Sequence, residues 1–274
     1  MMISSCAGKL ALQQCELTNV LIFVMHTATS IETFIQSPAE ALRHEITRVL
    51  QVAMSTTSQP LRTALIGLSS SATTSWAAKA HLPGLIAEAG QSRFAIRALL
   101  NSSLGAARSA IDVYKLPTDT KAYGSPDALA ADPDIDLVIC NTRVDKHYET
   151  IIPSIRAGKD VFVEWPIAAK TEHIQELVET AKQSGSRVAV GLQRRWNPVI
   201  TKVRQLISHD QTLGKVLSLE IRMFGGSLDR EILPTGLKYF AQREVGGNPI
   251  VIGVGHGKWS TLYFRLGELI KNSA

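Results

Sequence analysis

The sequence predicts a Rossmann-type doubly wound parallel sheet of the α/β class, followed by the start of an incomplete α+β domain with an antiparallel sheet. Three observations carry this reading. From Leu61 onward, short apolar runs alternate with segments of helical apolar spacing, the pattern of βαβ units on a parallel sheet. A Gly-Ser-rich turn follows the first run and opens a helical segment, as in nucleotide-binding crossovers. After Gly191 the texture changes, and residues 216–223 alternate polar and apolar side chains, which suits a strand with one wet face.

The runs LRTALIGL (61–68), FAIRALLN (94–101), IDLVICN (135–141), DVFVEW (160–165) and RVAVGL (187–192) read as five strands. Between them, Trp76–Ala89, Ala106–Val113, Pro126–Ala131, His147–Ala157 and Thr171–Ser184 have helical spacing, most of them bounded by Gly, Pro, Ser, Thr or Asp. Right-handed crossovers then give an open sheet. A further helix is expected over Pro198–Ser208, and then the strand VLSLEIRMFG. One such strand cannot cover its own apolar face or pair both its edges, so the second domain is expected to be incomplete. The domains are therefore 1–58, a poorly ordered N-terminal extension with an amphipathic segment over Pro38–Ala53; 59–191, the sheet domain; and 192–274, a partial substrate or dimerisation domain.

Composition narrows the function classes. A chain 45% hydrophobic and 19% charged can bury a real core. The net charge of +5 is scattered singly, with no basic run or arginine-rich face, so direct nucleic-acid binding is not expected. Cys6, Cys15 and Cys140 form no CxxC pair, which fits neither a disulfide framework nor a zinc site and points to a reducing compartment. The longest apolar run near the N-terminus, Val20–Met25, is far short of the ~20 residues of a membrane span, and no secretory pattern follows. A cytoplasmic location is expected, or a nuclear one if the chain is a regulator.

The turn in ALIGLSSSATTSWAAKA (64–80) places backbone N–H groups where a diphosphate could sit. Only Gly67 of the GxGxxG fingerprint is present; Ser69 takes the second glycine position, and Ala72 or Ser75 lies near the third. By itself this is an ordinary strand-to-helix turn as readily as a nucleotide cradle. More specific is IDLVICNTRVDKHYETIIPSIRAGKDVFVEWPIA (135–168), which runs strand, polar turn, helix, Gly-Lys turn, strand, Glu-Trp-Pro. This stretch resembles the Gfo/Idh/MocA oxidoreductases, over about Leu61–Leu269. Glu164-Trp165-Pro166 followed by Gly191-Leu192-Gln193 is similar to the branch holding the fungal galactose-regulon repressors.

The resemblance implies NAD or NADP as cofactor. Carried over residue by residue, Gly67, Ser69 and Ala72 line the diphosphate, Asn141 and Thr142 the nicotinamide-side ribose, and Glu164 a ribose hydroxyl. His147 matches the histidine that opens the next helix, where a structural hydrogen bond is the other reading. At the end of the second strand Asn101, Ser102 and Ser103 replace the acid that receives the adenosine ribose. That neutral end admits a 2′-phosphate, with Arg108 as its partner.

The family also places a Lys after the Glu, and an Asp and a His four residues apart, around the reacting position. Here these are Trp165, Ile252 and His256. His256 is then the single catalytic candidate, since an imidazole with a pKa of about 6.5 can shuttle a proton; a polar-tipped core histidine is the other reading. Trp165 is either an aromatic wall on the nicotinamide or sugar, or hinge packing. Gln193 and Arg195 follow the last strand as substrate-binding candidates suited to a hydroxylated or anionic ligand. No HxxxH, HExxH or Asp-rich loop suggests a metal, and no GxSxG elbow suggests a hydrolase.

The leading expectation is an NAD(P)-dependent oxidoreductase acting on a secondary alcohol or carbonyl of a sugar, polyol or other small metabolite. The alternative is a non-catalytic nucleotide sensor that regulates transcription through a protein partner. A third is an incomplete, inactive product. A small-molecule substrate and a homodimer accompany the first expectation.

Overall fold

The computed structural model describes residues 59–72, 74–193, 197–208, 233, 235–248 and 250–256. The expected N-terminal extension, the alternating segment 216–223 and Arg194 and Arg195 lie outside the described residues.

In chain order, β1 spans Leu61–Ile66; a π-helical turn over Ala77–His81 leads into α1, Leu82–Ile86; and α2 is Glu88–Gln91. Then come β2, Phe94–Leu100; α3, Leu104–Val113; β3, Lys121–Tyr123; α4, Pro126–Ala130; and β4, Leu137–Cys140. The domain closes with α5, Val144–Arg156; β5, Asp160–Glu164; α6, Thr171–Ser184; β6, Val188–Gly191; and α7, Pro198–Ser208. The six strands stand in the order β3-β2-β1-β4-β5-β6, and every pairing is parallel. That is the doubly wound order, whose direction of winding reverses between β1 and β4. β3 is a strand that the apolar pattern does not reveal. Its three residues, KAY, are too few for a periodic signal, and it forms only by pairing with the end of β2 through Ala98↔Lys121.

The strands are continuous apolar runs because both sheet faces are covered. Ala64 and Ile66 of β1 point to one face, where Ile151, Ile152 and Ile155 of α5 and Leu177 of α6 cover them. Leu65 points to the other, with Leu82 and Leu85 of α1 and Ala107 and Ala110 of α3. Serines fix two helix starts: Ser103 Oγ accepts from the Ala106 N–H and Ser125 Oγ from that of Ala128. At the end of the sheet where the strands begin, the charges are paired or bonded. Arg62 grips Asp136, Lys121 bridges Asp132 and Asp134, and buried Lys159 donates to the carbonyls of Asp132 and Ile135. The end where the strands finish is left for other chemistry.

Ile155 is fully enclosed between α5, the sheet and α6. Ile155→Ala should cost about 2–5 kcal/mol of folding free energy. Val113→Ala, at a position 59% exposed, should stay within about 0.5 kcal/mol. Denaturant midpoints compared between the two variants check this, and equal effects would refute the two-faced core.

Candidate active site

The reversal between β1 and β4 opens a crevice at the carboxyl ends of the strands, the usual ligand position in such sheets. Gly67 is the first residue beyond β1, and it has a φ of +88°. A Cβ there would stand 3.1 Å from Asn141 C and O and from Thr142 Cγ2, so only glycine lets the turn lie this close to the end of β4.

The turn after Gly67 is fastened to the neighbouring crossover. Tyr114 OH donates to Ser69 O at 2.9 Å, Ser70 Oγ meets Ser109 Oγ at 3.2 Å, and Asn101 Nδ2 donates to Leu68 O at 2.9 Å and Ala106 O at 3.3 Å. Asn101 thus shapes the turn with its amide N–H groups, while Ser102 and Arg108 are exposed beside it. Ser69 Oγ accepts from the N–H of Ser71 at 3.2 Å and of Ala72 at 3.1 Å. The serine hydroxyl thus gathers two successive backbone N–H groups of the turn. The pins from Tyr114 and Ser109 were invisible in the sequence, because they join elements about forty residues apart.

Across the crevice, Asn141 carries the most informative polar group. Both atoms of its side-chain amide are buried and no described group pairs with them. Each such omission costs about 1–3 kcal/mol. Gln193 Oε1, beyond β6, is likewise buried and unpaired. Cys140 one position earlier is wholly buried; burial pushes its thiol pKa up, leaving a protonated packing group rather than a nucleophile.

His147, on the first turns of α5, is buried and makes a structural link. Its Nδ1 lies 2.8 Å from Pro166 O and its Nε2 2.9 Å from Thr142 O, tying the ends of β4 and β5 together. Burial lowers its pKa below the ordinary histidine value, while the Pro166 and Thr142 carbonyls pull the other way.

Glu164, the last residue of β5, is held by two side chains from the first crossover. Its Oε1 accepts from Trp76 Nε1 at 3.0 Å and meets His81 Nε2 at 2.6 Å. Both His81 and Glu164 side chains are largely buried, 14% and 13% exposed. His81 is steadied further by the edge of Phe162, with centroids 5.6 Å apart. Neither Trp76 nor His81 stood out in the sequence, although both lie in the helical segment after the Ser-rich turn.

Trp165 follows, in a cis peptide with Pro166. Its Nε1–H donates to Val251 O at 3.0 Å, and a Cβ on Gly255 would come within 2.5 Å of that nitrogen. The indole therefore packs on the backbone of the π-helical turn Ile250–Val254. His256, just after Gly255, is buried. The 3₁₀ helix Thr235–Ala241 closes the opposite wall, leaving a cavity of about 440 Å³ between it, Ala72, Thr74 and Arg143. Ile252 is half-buried on the Ile250–Val254 turn, and Gln193 is the one substrate-binding candidate within the described residues. No group of three or more His, Cys, Asp or Glu suited to a metal occurs among the described residues.

A model of the oxidoreductase family with an NAD-binding Rossmann fold matches residues 61–192, the span that holds the sheet, the turn and Glu164. Residues 61–192 thus carry the NAD-binding Rossmann fold of the Gfo/Idh/MocA oxidoreductase family. Dehydrogenase aclE of Aspergillus oryzae is 30% identical over 182 residues, which is 64% of this chain and 47% of that protein. The galactose/lactose metabolism regulatory protein GAL80 of Saccharomyces cerevisiae is 28% identical over 203 residues, 72% of this chain and 45% of that one. A crystal structure of a super-repressor mutant of Gal80p superposes with a TM-score of 0.67 at 26% identity, over 76% of this chain and 53% of that chain. The chain spans about half the length of the curated relatives it matches. Within the family it stands near the Gal80 branch. No helix among the described residues is long and apolar enough to cross a membrane.

The NAD-binding fold fits the residues present. The positive φ of Gly67 allows close approach to the end of β4, and the buried, unpaired Asn141 amide offers both a donor and an acceptor there.

The His147 link makes stability depend on pH with a definite sign. Its folded pKa lies below the unfolded value of about 6.5. Its contribution is therefore full above that value and is lost as pH falls, since the unfolded chain takes up a proton that the folded chain refuses. The denaturant midpoint should drop over the interval below about pH 6.5, and His147→Asn should flatten that part of the profile. A wild-type midpoint that holds level through the interval would show instead an imidazolium shared by the two carbonyls.

Proposed function

We propose that this chain is an NAD(P)-dependent oxidoreductase of Gfo/Idh/MocA type, acting on a secondary alcohol or carbonyl of a sugar, polyol or other small metabolite. The observation that carries the nucleotide site is the Asn141 amide, buried and unpaired at the switch crevice beside Gly67. In this reading Gly67, Ser69 and Ala72 receive the diphosphate, with the Ser71 and Ala72 N–H groups exchanging Ser69 Oγ for phosphate oxygens. Asn141 and Thr142 hold the nicotinamide-side ribose, and Glu164 accepts from one of its hydroxyls through the carboxylate oxygen left over by Trp76 and His81. The end of β2 carries no acid at Asn101, Ser102 or Ser103, so a 2′-phosphate is tolerated there and Arg108 can pair with it. When bound, the nicotinamide supplies two-electron exchange with the substrate carbon.

His256 is the group we assign to move the substrate proton, with Gln193 and Arg195 toward the substrate. The residue before Pro166 takes no part in proton transfer, because an indole N–H does not exchange as an acid near neutral pH. That same residue supports a second reading. With Trp165 committed to Val251 O and Ile252 where the family has an acid, the centre has one titratable group in place of three. Two relatives, the GAL80 proteins of Saccharomyces cerevisiae and Kluyveromyces lactis, are regulators of galactose/lactose metabolism. Loss of positioned acid/base groups lowers rates about 10²–10⁴-fold, and a nucleotide sensor acting through a protein partner is the form such a site takes when turnover no longer matters.

Titration of the protein with NAD, NADH, NADP and NADPH, followed by tryptophan fluorescence, tests the cofactor site. Saturable binding below the millimolar range is expected, weakened at least about tenfold in Glu164→Gln, the scale of one charge-assisted hydrogen bond. The absence of binding by all four would remove the reading. Trp76, bonded to Glu164, and Trp165 are the reporters.

Turnover separates enzyme from sensor. His256→Asn should leave nucleotide affinity within about twofold and abolish dehydrogenase activity, a loss confined to the chemical step. Tight nucleotide binding with no parent activity across sugars, polyols and their keto forms would establish the sensor instead.

A further inference from the structure

An imidazole and a carboxylate meet where β5 ends. His81, the last residue of the turn Ala77–His81, brings Nε2 to 2.6 Å from Glu164 Oε1. That oxygen also accepts from Trp76 Nε1, and an ionised carboxylate has no hydrogen to give. The hydrogen between His81 and Glu164 therefore sits on Nε2, in the neutral and the cationic imidazole alike. Nδ1, which has no described partner, is the atom that gains or loses a proton.

The pair is held from several sides. Phe162 meets the imidazole edge-on. Glu164 stands opposite Gly191 across β5 and β6, and a Cβ on that glycine would come 2.8 Å from Glu164 Oε2, so the carboxylate lies over bare backbone. Both side chains are largely buried, and water and salt screen such a pair weakly. Glu164 is the acid paired with His81 among the described residues. The other charges on the elements packed around the imidazole, Lys79 on its own turn, Glu88 of α2 and Arg97 of β2, are exposed. Cys140 and His147 also feel the carboxylate, but burial disfavours the charged form of each. One proton on His81 thus decides whether the pair carries a single negative charge or none.

We propose that His81 is a positioning residue whose proton sets the charge beside the nicotinamide, and with it the preference of the site between oxidised and reduced nucleotide. The proposal rests on the nucleotide reading above and adds the group that regulates that site. The two redox forms share their phosphates and riboses and differ by the positive charge of the nicotinamide ring. The ratio of their dissociation constants therefore reads the local charge alone. A cationic ring favours the negative pair, so falling pH moves the preference toward the reduced form.

The test measures Kd for NAD against NADH, and for NADP against NADPH, by calorimetry on the whole chain from about pH 5.5 to about pH 9, which spans the histidine range. The ratio of Kd for the reduced form to Kd for the oxidised form should rise about threefold or more from the acid to the alkaline end. The ring signals of His81 in NMR spectra should titrate with the same midpoint. His81→Gln keeps an amide N–H where Nε2 stood but cannot change charge, so affinity should be kept and the ratio should stay at its alkaline value throughout. His81→Phe, which removes the donor, should weaken both forms about tenfold and leave the ratio level.

A ratio that stays level with pH in the parent chain would overturn the proposal while leaving the nucleotide site in place. A slope that survives in His81→Gln would also overturn it, by giving the proton to another group such as His256. Failure of all four nucleotides to bind at any pH would remove the cofactor reading and the proposal together.

Discussion

The pairing of β1 with β4 is the contact on which the site depends. It brings Ile66 opposite Cys140, so the residues just beyond them, Gly67 and Asn141, meet where the two halves of the sheet wind apart. Gly67 can lie against Asn141 only because it has no side chain and accepts a φ of +88°. The crevice, the fastening of the Ser-rich turn and the burial of the Asn141 amide all follow from that single close approach. Burial of four successive residues, Thr63 to Ile66, in β1 sets their side chains alternately against the two covered faces of the sheet.

A second constraint is the way β5 ends. Glu164 turns toward the first crossover, where Trp76 and His81 grip one carboxylate oxygen, and Trp165 turns toward the Ile250–Val254 turn. His147 ties the same chain end to Thr142 through Pro166. Two adjacent residues therefore connect the nucleotide half of the cleft to its opposite wall. Gly255 permits this by presenting bare backbone to the indole. Trp165 thus joins structure to structure, and His256 follows directly on the glycine at that junction.

Chemically, the cleft has neutral and cationic groups where acids are common. The end of β2 carries Asn101 and no acid, Ile252 stands on the Ile250–Val254 turn, and the cavity is flanked by Arg143 and Lys238. Two acids remain: Asp145 is paired with Arg143, and Glu164 is kept in place by an imidazole and an indole. The charges elsewhere are largely spent on structure, with Arg62, Lys121 and Lys159 closing the far end of the sheet around Asp132, Asp134 and Asp136.

The sequence by itself determined the parallel sheet, the order of its main elements and the neighbourhood of the site, because a strand covered on both faces must be apolar throughout and a helix covered on one face must repeat its apolar residues. Gly67, Asn141, Glu164 and His147 were legible as positions in a motif. What only the tertiary structure decided is how those positions are used. β3 exists through its pairing with β2 alone, and its three residues hold no period. The grip of Trp76 and His81 on Glu164 joins residues more than eighty apart, and the commitment of Trp165 to Val251 joins residues as distant. Hydrogen bonds of that kind leave no local pattern, since their partners are set by where the folded sheet ends and not by spacing along the chain.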